Sequence, residues 1–276
     1  MVYVGLIGDF IPYGPAGIIG DTVAVTALGS IPGTVATQFS PHDLELNYPI
    51  HEKCVEAQLE ALLKKPLRSI KIGVIQDIQH IKMIGEKLKT RTTPCPIVIN
   101  IILYNNKGLE LINPNILEAY EQYLFPLCEI VILGLTEAEK LANIDIFSLT
   151  DLDATAKILY TRWEKTLLVT GSLLKGTQQY DIFISPQGTK TLSFSRLPSH
   201  TPHMLDFSGT SVLSCAVAVG LAQGLTLLQA INLARQYIEK TISTSTTNSE
   251  DPLFNLSCTI NRTLFNKQAQ PYQIVE

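Results

Sequence analysis

The sequence predicts a doubly wound α/β fold, a mainly parallel sheet with helices on both faces. Two observations predict it. Short β-branched runs alternate with longer helix-period segments from the first residues onward, the pattern of a sheet whose parallel strands are joined by crossover helices. With 46% hydrophobic residues against 17% charged in a chain of 276, there is also enough apolar material to cover such a sheet on both sides. One α/β domain of this length is the simplest organisation. We expect it over 1–242, with 243–276 as a C-terminal tail.

The elements follow in order along the chain. Strands are expected at Val2 to Gly8, Thr34 to Phe39, Ser69 to Val74, Ile97 to Leu103, Glu129 to Leu133 and Thr166 to Thr170. Helices are expected between them at Ile18 to Leu28, His51 to Lys64, Ile78 to Thr90, Asn115 to Tyr123 and Asp151 to Trp163. Gln178 to Ile184 and Lys190 to Phe194 flank Pro186-Gln187-Gly188, a hairpin signal that fits a small antiparallel addition at the sheet edge. After a Pro/His-rich loop, Ser199 to Met204, an apolar helix is expected from Leu213 to Leu221. Gly224-Leu225-Thr226 then ends it and caps a last helix that stops near Ile242. Polar, turn-rich residues from Ser243 to Asp251 lead into a mobile or edge-packed tail.

Composition excludes several classes of function. The 21 Lys and Arg against 25 Asp and Glu give a net charge of −4, with no basic excess to meet a nucleic-acid backbone. The five cysteines (54, 95, 128, 215 and 258) are widely spaced and never form C-x-x-C. They read as buried thiols of a reducing cytosol rather than a zinc or disulfide framework. The chain opens on a strand-like run with no signal-peptide pattern, and its most apolar stretch, Val212 to Ala222, is too short to span a bilayer. The expectation is a cytoplasmic protein with neither a nucleic-acid nor a membrane partner.

Ligands of an open parallel sheet gather at the carboxyl ends of its strands, which selects three loops. Gly8 to Gly17, followed by a helix carrying Asp21, offers close backbone approach and free N–H groups, or simply a tight connection. Thr37-Gln38-Phe39-Ser40-Pro41-His42 offers an amide, an aromatic face, a hydroxyl and an imidazole. This set suits a flat heteroaromatic ring, with Gln38 reading donor and acceptor positions and Phe39 stacking; core packing for Phe39 and a surface place for His42 are the ordinary alternatives. Asp206 to Val212, a Gly/Ser/Thr turn before the apolar helix, could hold an anionic group or only cap that helix. His200 and His203 do not make a metal pair, since Pro202 breaks regular helical spacing and no further ligand stands beside them.

The order of these motifs resembles the hydroxymethylpyrimidine/phosphomethylpyrimidine kinases of the ribokinase superfamily. The likeness runs from about Gly5 to Ile242. It is carried by Gly14-Pro15-Ala16-Gly17-Ile18 with Asp21, Ala27-Leu28-Gly29, Gly33-Thr34, Lys71-Ile72-Gly73-Val74, Leu135-Thr136-Glu137-Ala138-Glu139, Leu213-Ser214-Cys215-Ala216 and Gly220-Leu221-Ala222. Thr37-Gln38-Phe39-Ser40 is more similar to the pyridoxal kinase branch. The resemblance implies ATP and Mg2+ as cofactors, transfer of a phosphoryl group to a hydroxymethyl on a small heteroaromatic vitamin precursor, and a homodimer. It also implies a ring site at Gly17, Asp21, Gln38 and Phe39, a phosphate side at Gly209, Thr210, Glu137, Thr170 and Gly171, and Glu137 as the metal-side carboxylate.

The chain departs from that family where the chemistry would occur. The family's Gly-Thr-Gly-Cys stands here as Gly209-Thr210-Ser211-Val212, one residue short, so Ser211 or Val212 occupies the base position. A serine needs an activating partner and valine accepts no proton. Asn100, Gly134 and Thr170 stand where the family carries an Asp, an Asn and a Lys. Three readings stay open from the sequence: a hydroxymethylpyrimidine-type kinase with an impaired catalytic turn in which Ser211 or Asp206 acts as base, a non-catalytic ring-binding paralogue with a carrier or regulatory role, and a pyridoxal-type kinase.

Overall fold

The computed structural model describes residues 1–12, 16–41, 47–105, 108–195, 202–244 and 274–275, with backbone alone at 202–208, 242–244 and 274–275. Its strands are β1 Tyr3–Phe10, β2 Ile31–Phe39, β3 Tyr48–Pro49, β4 Leu67–Ile72, β5 Ile97–Ile101, β6 Ile130–Leu133, β7 Leu167–Thr170, β8 Gln178–Ser185, β9 Gly188–Ser195 and β10 Ile274–Val275. Its helices are α1 Gly17–Ala27, α2 Glu52–Leu63, α3 Ile78–Lys89, α4 Pro114–Ala119, α5 Leu135–Ala142, α6 Leu149–Trp163, α7 Pro202–Ala222 and α8 Leu227–Thr244. The strands form one sheet in the order β10-β9-β8-β7-β6-β5-β4-β1-β2-β3. The pairs from β2 through β7 are parallel, while β3, β8, β9 and β10 add antiparallel edges.

Alternation along each strand sorts the apolar residues into two cores. Ile70, Ile72, Ile97, Ile99, Val131 and Leu133 point into one, with Val55 and Leu59 of α2, Ile81 and Ile84 of α3 and Leu152 and Leu159 of α6. Val4, Leu6, Val98, Ile130, Ile132 and Leu168 point into the other, with Ile18 and Val25 of α1, Val212 to Val219 of α7 and Ala230 and Ile231 of α8. A period of two puts successive side chains on opposite faces, so strands apolar at every position are those covered on both sides. Residues 211–220 of α7 are all buried. A helix apolar on every side belongs in the interior, and α7 packs on α1, α8, β4 and β5.

The helix boundaries contain one correction. A loop was expected to reach Met204 and a turn to precede Leu213, but α7 runs unbroken from Pro202. Proline is well suited to the first helical position because its fixed φ is already helical and no N–H is needed there. Ser208 to Val212 therefore lies inside a helix rather than in a turn before one. Three elements were not expected: the eight-residue α5 and the short edge strands β3 and β10. The helix expected at Asn115 to Tyr123 is α4 followed by a π turn, Tyr120–Leu124. No helix among the described residues is long and apolar enough to cross a membrane.

Candidate functional site

The sheet order places the change of winding direction between β1 and β4: from β1 the chain builds outward through β2, then returns to add β4 through β7 on the other side. Ligands of doubly wound sheets bind beyond the carboxyl ends at such a switch point. Three side chains meet there. Lys71, the next-to-last residue of β4, points to the α7 side, opposite Ile70 and Ile72, and its ammonium lies 2.5 Å from Asp21 Oδ2 of α1. The same ammonium donates to Ser211 Oγ at 3.1 Å, and Ser211 Oγ donates to Asp21 Oδ1, also at 3.1 Å. All three residues are about 2% exposed.

This ring of contacts brings together three segments separated by as much as 190 positions. Burial pushes the Asp21 carboxyl above its usual range, while the Lys71 ammonium and the Ser211 hydroxyl pull it back. A buried charge is tolerated when it is paired and its remaining oxygen is hydrogen-bonded, and both oxygens of Asp21 are so held. Cys215, one turn further along α7, contacts the Asp21 carbonyl through its sulfur, and burial raises its thiol far above the ordinary value. It is a packed thiol rather than a nucleophile. Lys71 was quoted in the sequence only as part of a motif. A lysine inside an Ile-rich strand was the available signal, because a strand buried on both faces has no solvent for an ammonium.

Asp9 stands beside this cluster at the end of β1, 6% exposed and in register with Gln38 of β2. Gly17 opens α1 at φ +64, where a Cβ would lie 2.6 Å from the Asp9 carbonyl and 3.3 Å from Asp9 Oδ1. Only glycine fits both the left-handed backbone and the close approach. Gln38 is buried, but its amide is engaged. Its Oε1 accepts from the Gln76 N–H at 3.1 Å, and its Nε2 donates to Gln76 Oε1 at 3.2 Å. Gln76 in turn donates to the Leu111 carbonyl at 2.9 Å, so Gln38 braces the loop after β4. Phe39 is 40% exposed and stacks on Phe10 with centroids 5.9 Å apart. Part of its aromatic surface is therefore left uncovered by the core.

The residues expected on the phosphate side are placed less favourably. Gly209 and Thr210 lie in the third turn of α7, where main-chain N–H groups are committed to carbonyls four residues earlier. The Gly171 N–H is shared between the Tyr180 carbonyl at 2.9 Å and Asp181 Oδ1 at 3.3 Å. Asp181 is in turn paired with Arg235 of α8. Glu137, in the first turn of α5, accepts from the Leu103 N–H at 3.3 Å. Thr170 Oγ1 and Asn100 Oδ1 are buried polar atoms without a partner. Among the described residues, no group of three or more His, Cys, Asp or Glu could hold a metal ion. His42, His200 and the side chains of His203 and Asp206 lie outside the described residues.

The family model described as phosphomethylpyrimidine kinase matches residues 12–252. A hydroxymethylpyrimidine/phosphomethylpyrimidine kinase of Aquifex aeolicus is 25% identical over 87% of this chain and 93% of its own length. A probable thiamine biosynthetic bifunctional enzyme of rice is 26% identical over 83% of the chain, which spans 42% of that longer protein. Among solved structures, a phosphomethylpyrimidine kinase from Clostridium difficile superposes with a TM-score of 0.73 at 25% identity, covering 88% of this chain and all of that one. A pyridoxal kinase of Bacillus subtilis in complex with ADP reaches 0.77 at 21% identity, over 91% and 95% of the two chains. With a ribokinase-like sheet, the expected loop order and a family match across most of its length, this chain belongs to the phosphomethylpyrimidine kinase family.

Proposed function

We propose that this protein is an ATP-dependent kinase acting on the hydroxymethyl group of a small heteroaromatic vitamin precursor, a hydroxymethylpyrimidine or its monophosphate. The observation that carries this reading is the Asp21–Lys71–Ser211 cluster at the switch point. It brings a hydroxyl, a carboxylate and a cation into mutual contact, and the resemblance aligns Ser211 with the family's base position. A lone serine is a poor base, but Ser211 already donates its proton toward a carboxylate and receives a hydrogen bond from an ammonium. A proton taken from a substrate hydroxyl thus has a path through Ser211 toward Asp21. Asp206 remains the second base assignment.

Gly17, Asp21 and Phe39 frame the ring site, and Gln38 supports it through Gln76. ATP when bound supplies the phosphoryl group. The unpartnered Thr170 hydroxyl would donate to its phosphates, and Glu137 would hold Mg2+ through water. The domain over 1–242, with its tail joining the sheet at β10, would work as a homodimer, the assembly suggested by the resemblance.

Two observations favour a second reading, that of a ring-binding protein with little or no turnover. The helical path of Ser208 to Val212 and the occupied Gly171 N–H leave few donors for a phosphoryl group in flight. An ADP-release assay with hydroxymethylpyrimidine, its monophosphate and pyridoxine separates the readings and the substrates. We expect slow, pyrimidine-dependent release that falls by about 10²-fold or more in Ser211→Ala. Release dependent only on pyridoxine would assign a pyridoxal-type kinase, and none with any ring would favour the binding protein. If Ser211→Ala keeps full activity and Asp206→Asn loses it, the base is Asp206.

A further inference from the structure

Among the described residues three aspartates are buried, and they are treated differently. Asp21 is held by Lys71 and Ser211, and Asp181 by Arg235 and the Gly171 N–H. Asp9, only 6% exposed, has no such partner: apart from its own main-chain N–H, no described group donates to its carboxylate. Burying a carboxylate with one local main-chain donor costs free energy and leaves lone pairs open to a donor from a ligand.

The position says what that donor is. Asp9 is the next-to-last residue of β1, at the switch point, beside Gln38 in register and with Oδ1 turned to the Gly17 opening of α1. The Lys71 ammonium and the Asp21 carboxylate both act on its carboxyl, and these two residues hold Ser211. It therefore stands on the reacting-group side of the site rather than at the aromatic face offered by Phe39. We propose that Asp9 is the acceptor for the hydroxyl of a hydroxymethyl-bearing ring, and so the residue that selects such a ring over one lacking the hydroxyl. This rests on the reading above that the switch point binds a heteroaromatic ring. It concerns the resting complex and does not require turnover: during transfer the hydroxyl hydrogen, which one acceptor holds at a time, would pass from Asp9 to Ser211.

The groups facing Asp9 are Lys71 from β4, Asp21 from α1 and the Tyr120 phenol from the turn after α4. Desolvation lifts its carboxyl to about 6 against the opposing pull of Lys71. The accepting, ionised form prevails above that pH and is lost below it.

The test is calorimetric binding of hydroxymethylpyrimidine and its 5-methyl analogue, which differ only in the hydroxyl, to the wild-type chain and to Asp9→Ala. At pH 8 the wild type should favour the hydroxymethyl ring by about tenfold or more, the size expected for a hydrogen bond to a charged group. Asp9→Ala should bind the two within about twofold. The wild-type preference should also fade between pH 7 and 5, once each ring's own protonation, measured separately, is corrected for. A tenfold preference kept by a folded Asp9→Ala would overturn the assignment. So would a wild-type preference that does not change with pH, a result that needs no variant to fold. If the wild type binds neither ring, the ring-site reading falls and this inference with it, an outcome distinct from binding without discrimination.

Discussion

At the scale of single residues, the site is a distribution of buried charge. Asp21 and Lys71 compensate each other, whereas Asp9 carries the cost of desolvation and has a carboxyl raised from 3.8 to about 6. The sign of the consequence follows from linkage. A carboxyl whose folded-state pKa exceeds its unfolded value favours the folded state fully below the unfolded pKa, and that advantage is lost as pH rises through the folded pKa. Asp9→Asn removes the ionisation. It should therefore stabilise the fold relative to wild type at pH 8, by up to about 3 kcal/mol for a shift of roughly two units, and make little difference at pH 4. Urea unfolding of both chains at the two pH values measures this; equal gains at pH 4 and pH 8 would show that the variant acts through packing instead. Stability gained by neutralising Asp9, together with loss of hydroxyl selectivity, is the signature of a residue kept for binding. Of this site the sequence showed Asp21 and Ser211 but not their mutual contact. Hydrogen bonds across 140 and 190 positions depend on register and helix packing, which local pattern does not encode.

At the scale of elements, every expected parallel strand is found, because β-branched runs buried on both faces carry their own signal. The misplaced boundary was the start of α7. Gly209, Ser208 and Thr210 have turn-like propensities, but propensity is a weak prior where packing against α1, β4 and β5 holds a helix together. The eight-residue α5 escaped notice because it buries only Leu135, Glu137 and Ala138, too few positions to establish a period. Packing between α7 and α8 also explains Gly220-Leu221-Ala222, which the sequence offered only as a family likeness. A Cβ on Gly220 would lie 2.8 Å from the Cβ of Ala230 and 2.9 Å from its Cα, so the two helices touch with no room for a side chain. Gly220→Val should destabilise the chain by about 1–3 kcal/mol through overpacking, despite the better helix propensity of valine. Ala230→Gly in the same chain should recover part of that loss, as a double-mutant cycle on thermal unfolding would report. Strict additivity would mean that the crossing can separate without cost.

At the scale of the whole molecule, the two halves of the proposed site are built differently, and that difference can be measured. The ring side is made where β1, β2 and β4 diverge, with Asp9, Asp21 and Lys71 buried and Phe39 offering an aromatic surface. The phosphate side rests on β5, β7 and α7. There lie a helical segment, an occupied Gly171 N–H and the neutral Asn100 and Thr170, at positions where the resemblance would have turn donors, a carboxylate and a cation. Anion affinity comes from free N–H groups and positive charge aimed at the phosphates, and the described residues supply few of either. Ring binding should accordingly be the stronger of the two. A ligand at a hundred times its dissociation constant stabilises a folded chain by about 2.7 kcal/mol. Hydroxymethylpyrimidine at millimolar concentration should thus raise the midpoint of thermal unfolding by several degrees, while MgATP alone at the same concentration raises it less. Because unfolding midpoints register binding without catalysis, the comparison bears on the kinase and on the ring-binding protein alike. A larger shift with MgATP than with any ring would reverse the proposed asymmetry, and would mean that the helical Ser208 to Val212 segment rearranges when nucleotide arrives.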